Sequence, residues 1–269
     1  MPIEKINGIN IYYEIHGEGF PLVMTYGLGG SCKFWEPNIK ALASKYKLIL
    51  WDHRGHGQSD SPRDKEDYGL QTFAQDLKGL MDHLEIDKAH VGGQSLGAGS
   101  AVRFCINHPE RVASLLLIAS ASASGLPIPP KVLEMRKKTI NLALNEGMAA
   151  VGEAALTSNP NMMSYAKQGP EQVEIVKQMY LDCDQVGYAY SVWSLITGDS
   201  ITDQLSSIVA PTLVMAGIGD PVMPAVEATH ANIPHSKLVI IPGASHFANL
   251  DTPEEFNQNI LDFLSEVNT

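Results

Sequence analysis

Ala89-His90-Val91 leads through Gly92 into Gly93-Gln94-Ser95-Leu96-Gly97, and the chain then reads as a helix that stops before His108-Pro109. A serine between a strand and a helix sits on a sharp turn whose backbone strain demands small neighbours. Gly93 and Gly97 supply them, so the hydroxyl can project from the edge of a sheet. The helix N-terminus then directs amide N–H groups at any oxygen that reacts there. This stretch therefore predicts a strand, a tight turn and a helix, with Ser95 as a candidate nucleophile.

Working outward, Ile3 to Ile15 holds two β-rich runs around Asn7-Gly8, a pair that tolerates positive φ and marks an antiparallel hairpin. Short apolar runs follow at Leu22–Thr25, Lys47–Trp51, Ala89–Val91, Ser114–Ile118, Thr212–Met215 and Lys237–Ile241, as expected of buried parallel strands. Helical patterns separate them; Phe73, Leu77, Leu80 and Leu84 share one helix face. A final helix starts near Pro253, with Asp251 and Glu254 expected to cap it. Alternation of strand and helix implies a mostly parallel sheet covered on both sides. Residues 122–204 break the rhythm, opening with Pro127, Pro129 and Pro130 and containing helical stretches without a strand. The expected organisation is a core of 1–121 and 205–269 carrying an inserted helical cap at 122–204. Five of the ten methionines fall in the insertion (Met135, Met148, Met162, Met163, Met179), and flexible thioethers suit an adaptable apolar wall.

A formal charge of -11 argues against nucleic acid or an anionic membrane as partner, since both bind clustered Lys and Arg. The longest basic run, Arg136-Lys137-Lys138, reads as a solvated helix face without a function. Cys32, Cys105 and Cys183 are odd in number and widely spaced, which suggests neither disulfides nor a zinc site and fits a reduced, cytoplasmic protein. The N-terminus lacks the pattern of a signal peptide, and no apolar run has the length of a membrane span. A homo-oligomer is compatible with this composition.

A serine hydroxyl needs a base within hydrogen-bond reach. His246, in Gly243-Ala244-Ser245-His246, follows the last strand on the same sheet edge as Ser95. His53 and His56 also follow a strand, but they precede the serine and read as polar groups of a tight loop. The imidazole in turn needs an acid to hold its tautomer, and Asp220, after the penultimate strand, gives the chain order Ser95, Asp220, His246. Asp203 and Asp199 precede that strand and are weaker candidates. Backbone donors for a tetrahedral oxyanion are expected from the amides of Leu96 and of Leu28, the latter in Tyr26-Gly27-Leu28-Gly29-Gly30.

Together, the Gly27-Leu28-Gly29 loop, Trp35, Asp52 through Ser59, the Ser95 turn, Gly219-Asp220-Pro221 and Gly243 through His246 resemble the α/β-hydrolase superfamily. The sequence is similar to small esterases, cofactor-free haloperoxidases, enol-lactonases and carbon-carbon bond hydrolases of ring-fission products. The resemblance implies the α/β-hydrolase fold, the triad roles for Ser95, Asp220 and His246, no metal and no cofactor, and a small-molecule ester-like substrate. Tyr26 and Gln94 stand where many relatives have His. The reaction expected is hydrolysis of a small ester or lactone through an acyl-enzyme; alternatives are carbon-carbon bond cleavage of a diketone, which would need a cationic pocket, and a ligand receptor on the same fold. A dinucleotide site is disfavoured because Cys32 replaces the third glycine of the fingerprint.

Overall fold

In a computed structural model the described residues are 2–120 and 126–267. Eight strands, β1 (Ile3–Ile6), β2 (Ile9–His16), β3 (Pro21–Thr25), β4 (Lys47–Trp51), β5 (Ala89–Gln94), β6 (Val112–Ile118), β7 (Thr212–Gly217) and β8 (Lys237–Ile241), form one sheet in the order β1-β2-β4-β3-β5-β6-β7-β8. The first two pairings, β1 with β2 and β2 with β4, are antiparallel and the rest are parallel. Asn7 and Gly8 turn the opening hairpin with φ of 50° and 87°, the left-handed pair that matches strand twist. The fold is the α/β-hydrolase fold.

Helices α1 (Glu36–Leu42), α2 (Leu70–His83) and α3 (Leu96–Asn107) follow β3, β4 and β5, and α4 (Pro130–Glu146), α5 (Met148–Ser158), α6 (Pro160–Ala166), α7 (Pro170–Leu181), α8 (Gln185–Thr197) and α9 (Thr202–Leu205) lie between β6 and β7. The chain closes with α10 (Met223–Asn232), α11 (Ala248–Asp251) and α12 (Pro253–Glu266). The expected boundary at 121 and 122 lies outside the described residues. No helix of the described residues is long and apolar enough to cross a membrane.

The sheet separates two apolar layers. Phe73, Leu77 and Leu80 of α2 are buried, as their spacing predicts, while Leu84 ends the helix half-buried. Ala74, Leu77 and Leu80 join Val102 and Phe104 of α3 and Val226 of α10 on one face of the sheet. Leu42 of α1 with Phe256 and Ile260 of α12 cover the other face, and the apolar cluster they belong to runs on into the inserted helices through Met148, Met162 and Met179. Each of the large core side chains contributes roughly 1.5–3 kcal/mol by leaving water.

β5 outruns its apolar stretch and continues to Gln94. A Cβ on Gly92 would lie 2.6 Å from Leu116 Cβ and 2.8 Å from Met24 Sδ, so the neighbouring strands require glycine here. The inserted helices meet the core backbone to backbone at Gly187. A Cβ on Gly187 of α8 would stand 2.5 Å from Gly55 Cα, in the loop after β4, and Gly55 itself has φ of +77°.

The expected capping of the last helix by Asp251 and Glu254 is not what forms. Thr252 occupies the N-cap position, and Asp251 ends α11. Its carboxylate is engaged elsewhere: Oδ2 accepts from the Ser245 amide at 2.6 Å and Oδ1 from Gln168 Nε2 at 2.8 Å. A carboxylate gains more from two donors, one of them the amide beside His246, than from a helix end that proline already starts well.

Candidate active site

Parallel strands bring the loops after β3, β5, β7 and β8 to one edge of the sheet. At the centre of that edge Ser95 has φ 52° and ψ −107°, a conformation a non-glycine residue holds only when its surroundings enforce it. The enforcement is visible on both sides. Its amide donates to Ile118 O at 2.8 Å and its carbonyl accepts from Gly99 N at 3.2 Å. A Cβ on Gly93 would lie 2.5 Å from Gly97 C, and one on Gly97 would lie 2.8 Å from the carbonyl oxygens of both Thr25 and Tyr26.

Asp220 and His246 are both buried, and each Asp220 carboxylate oxygen lies 3.0 Å from His246 Nδ1. Two backbone bonds stitch the loops that carry them: Ile218 N to Ile241 O at 3.0 Å and Gly219 N to Ala244 O at 2.9 Å. Asp220 Oδ1 also accepts from Val222 N at 3.0 Å, which fixes the carboxylate's rotation. Ser95 and His246 line one cavity of about 190 Å³, with Leu28 beside them. No hydrogen bond joins Ser95 to His246 among the described residues; such contacts tighten once substrate is seated. The amides of Leu28 and Leu96 donate to no other group of the described residues, so both are free to receive an oxyanion. The Leu96 side chain points away, buried with Tyr68 and Phe73.

Tyr26 and Gln94, the two departures from the usual histidines, have definite partners. Tyr26 stacks on Phe34 at 5.1 Å and donates its hydroxyl to Asn249 Oδ1 at 3.0 Å. Gln94 donates from Nε2 to the carbonyl of His246 at 3.2 Å, so the strand that presents Ser95 also holds the histidine's backbone. Gly27 packs against the same glutamine side chain, where a Cβ would clash with Gln94 Oε1.

A Ser–His hydrogen-bond contact does form elsewhere, further along α3. His53 Nε2 is 3.0 Å from Ser100 Oγ and its Nδ1 is 3.3 Å from Thr25 Oγ1. Ser100 is fully buried and donates to Gly97 O at 2.9 Å, leaving no approach for a substrate. Asp52 does not reach His53: its carboxylate accepts from the amides of Cys32 at 2.7 Å and Gln58 at 3.0 Å. Burial pushes His53 well below the usual imidazole range and His56 down to about 4, so both stay neutral near pH 7. This cluster knits the loop after β4 to α3: His56 bonds within the loop, Nδ1 to Arg54 O at 3.1 Å, as its sequence context suggested, whereas His53 reaches out of the loop to Ser100 and Thr25. Asp52, spent on these amides, is not available to a ribose either.

The arginines divide in the same way. Arg54 forms a buried fork with Asp76, Nε to Oδ2 at 2.7 Å and Nη2 to Oδ1 at 2.8 Å, and anchors α2. Arg103 reaches Gln204 Oε1 at 3.5 Å, away from the cavity. In the basic triplet Lys137 and Lys138 are exposed as expected, but Arg136 is not a solvated surface residue: it lines the cavity. The missed signal is its register. Val132, Met135, Arg136 and Thr139 recur at helical spacing and form the face that α4 turns to Ser95. Of the insertion's five methionines, Met135 and Met162 line this cavity.

A family model described as alpha/beta hydrolase fold matches residues 21–253 of the chain. Among curated proteins, the chain is 27% identical to a provisionally named carbamate hydrolase of Azorhizobium caulinodans, over 99% of both. It is 29% identical to a 3-oxoadipate enol-lactonase of Acinetobacter baylyi, over 98% of this chain and 97% of the other. Among solved structures, a thermophilic esterase from Thermogutta terrifontis, determined with malate bound, superposes with a TM-score of 0.90 at 28% identity over the whole of both chains.

Proposed function

The chain belongs to the α/β-hydrolase fold family, and from that premise we propose that it is a serine hydrolase that cleaves a small carboxylic ester or lactone through an acyl-enzyme. The observation that carries this reading is the strained Ser95 on the same cavity as a histidine whose far nitrogen is held by a buried carboxylate. Ser95 Oγ attacks the carbonyl carbon while His246 Nε2 takes its proton. Asp220 keeps the Nδ1 proton in place and balances the imidazolium that forms. The oxyanion is received by the Leu28 and Leu96 amides, each donor accounting for a factor of about 10² to 10³ in rate. His246 then protonates the departing alkoxide, and a water that it activates releases the acid. The helices α4 to α8 act as a cap whose inner face selects the substrate. The cavity is smaller than the roughly 300–1,000 Å³ of sites for drug-sized ligands, which supports a short-chain substrate.

The test is labelling with a fluorophosphonate followed by peptide mapping, alongside turnover of short aryl esters, lactones and a ring-fission diketone. Expected are an adduct on Ser95, repeated turnover of esters or lactones, and loss of both in Ser95→Ala. Multiple turnover retained by Ser95→Ala would remove the serine from its role. Turnover of the diketone alone would move the reaction to carbon-carbon cleavage, and a single slow turnover would point to a receptor.

A further inference from the structure

Arg136 is a charged side chain in a wall of apolar and neutral polar residues, among them Met135, Thr139, Asn159 and Asn161. No Asp or Glu, and no other Lys or Arg, is among the described residues that line the cavity with it. Residues 121–125 read Ala-Ser-Ala-Ser-Gly and bring no carboxylate of their own. The guanidinium makes one hydrogen bond within the described residues, Nη1 to Leu195 O at 3.0 Å, so Nε and Nη2 have no acceptor among them. Burial pulls the guanidinium below its ordinary value, yet an arginine stays charged at any working pH. A half-buried cation without a counter-ion is costly to hold unless a ligand supplies the opposite charge.

The approach to the cavity has the same sign. An open groove adjoins it, sharing Met135, Thr139, Pro160 and Pro221 with the inner cavity. Lys131, Lys138 and Lys167 line this groove against a single acid, Glu134, which is already 3.8 Å from Lys138. Such a basic path on a chain of net charge -11 is a local reversal of sign, and it would draw anions inward.

Building on the assignment of Ser95 as nucleophile, we propose that the substrate is a short ester or lactone bearing a free carboxylate, and that Arg136 binds this carboxylate while the ester carbonyl sits at Ser95. The free Nε and Nη2 are the two adjacent donors of the guanidinium edge, which match the two oxygens of a carboxylate. A phosphate dianion would bring a second charge, and no other Lys or Arg among the described lining residues meets it.

Two substrates of equal chain length separate the carboxylate from the rest: monomethyl glutarate and methyl pentanoate, each followed by acid release in a pH-stat. The wild type favours the glutarate ester in kcat/KM, and in Arg136→Gln the ratio of the two values falls by about 10²-fold, the scale of lost charge-assisted hydrogen bonds. Arg136→Lys recovers part of the ratio. Because each ratio is taken within one protein, partial loss of folded enzyme cancels. Calorimetry with glutarate and with inorganic phosphate provides a readout without turnover: glutarate binds the wild type and not Arg136→Gln, and phosphate binds neither. An unchanged ester ratio in Arg136→Gln, or phosphate binding as tight as glutarate, overturns the proposal while leaving Ser95 as nucleophile. Arg136-dependent glutarate binding without Ser95-dependent turnover of either ester would instead keep the anion site and refute the hydrolase reading.

Discussion

Two serines on one helix each have a histidine near by, and their surroundings separate them. Ser95 stands at the N-terminus of α3 on a cavity, with His246 on the same cavity and the histidine's far nitrogen 3.0 Å from Asp220. Ser100, five residues on, makes the hydrogen-bond contact, 3.0 Å to His53, that Ser95 lacks among the described residues, but is sealed from solvent, and His53 turns its other nitrogen to a threonine. Proximity of the two side chains is therefore the weaker criterion. Access for substrate and an acid behind the base distinguish chemistry from packing.

The largest effect that would break this contrast is an exchange of phenotypes between the two histidines. His246→Ala is expected to lower kcat/KM by at least about 10³-fold with little change in melting temperature, whereas His53→Ala keeps most activity and costs about 1–3 kcal/mol of stability from its orphaned partners. Steady-state kinetics and chemical denaturation on both variants check this; a loss of activity larger in His53→Ala would reverse the assignment.

His56 of the packing cluster and His90, buried in β5 with Nδ1 2.8 Å from Ser114 Oγ, should also leave a pH signature. His56 and His90 are both pushed down to about 4 by burial, from 6.5 in an open chain. Between those values the unfolded chain takes up protons that the folded chain refuses, so stability falls as pH drops from about 6.5 toward 4. The slope is at most about 1.4 kcal/mol per pH unit for each histidine. Denaturant titrations at steps between neutral pH and pH 4.5 would show it, and a flat profile would mean these rings are not held neutral. The smallest expected effect belongs to Gln94→Ala. Losing its bond to the His246 carbonyl loosens the base, and kcat should drop about 3–10-fold with KM nearly unchanged, on the scale of one neutral hydrogen bond.

Much of the frame was legible because it is written locally. β4 and β8 fall on the residues that their apolar runs predict, and the Asn7-Gly8 turn follows from the φ those residues accept. Chain order offered Ser95, Asp220 and His246 as candidates for one site, and parallel strands do deliver their loops to one edge. What escaped depended on neighbours distant in sequence. The glycine end of β5 is strand because Leu116 and Met24 crowd it, and Asp251 abandons a helix cap because Ser245 and Gln168 lie within its reach. Arg136 was hidden by its two exposed lysine neighbours, though the helical spacing of Val132, Met135 and Thr139 carried the clue.

The seam between Gly55 and Gly187 has a practical meaning for anyone who redesigns this molecule. Backbones that touch leave no side chain to enlarge or shrink, so a mutational library has nothing to explore there, and even alanine would push α8 off its seat. Variation is better spent on α4, where neighbouring faces of one helix address the inner cavity and the outer groove. If α4 reads the substrate as proposed, selectivity and docking are separable traits, and a new specificity could be selected on α4 without reopening the question of how the inserted helices attach.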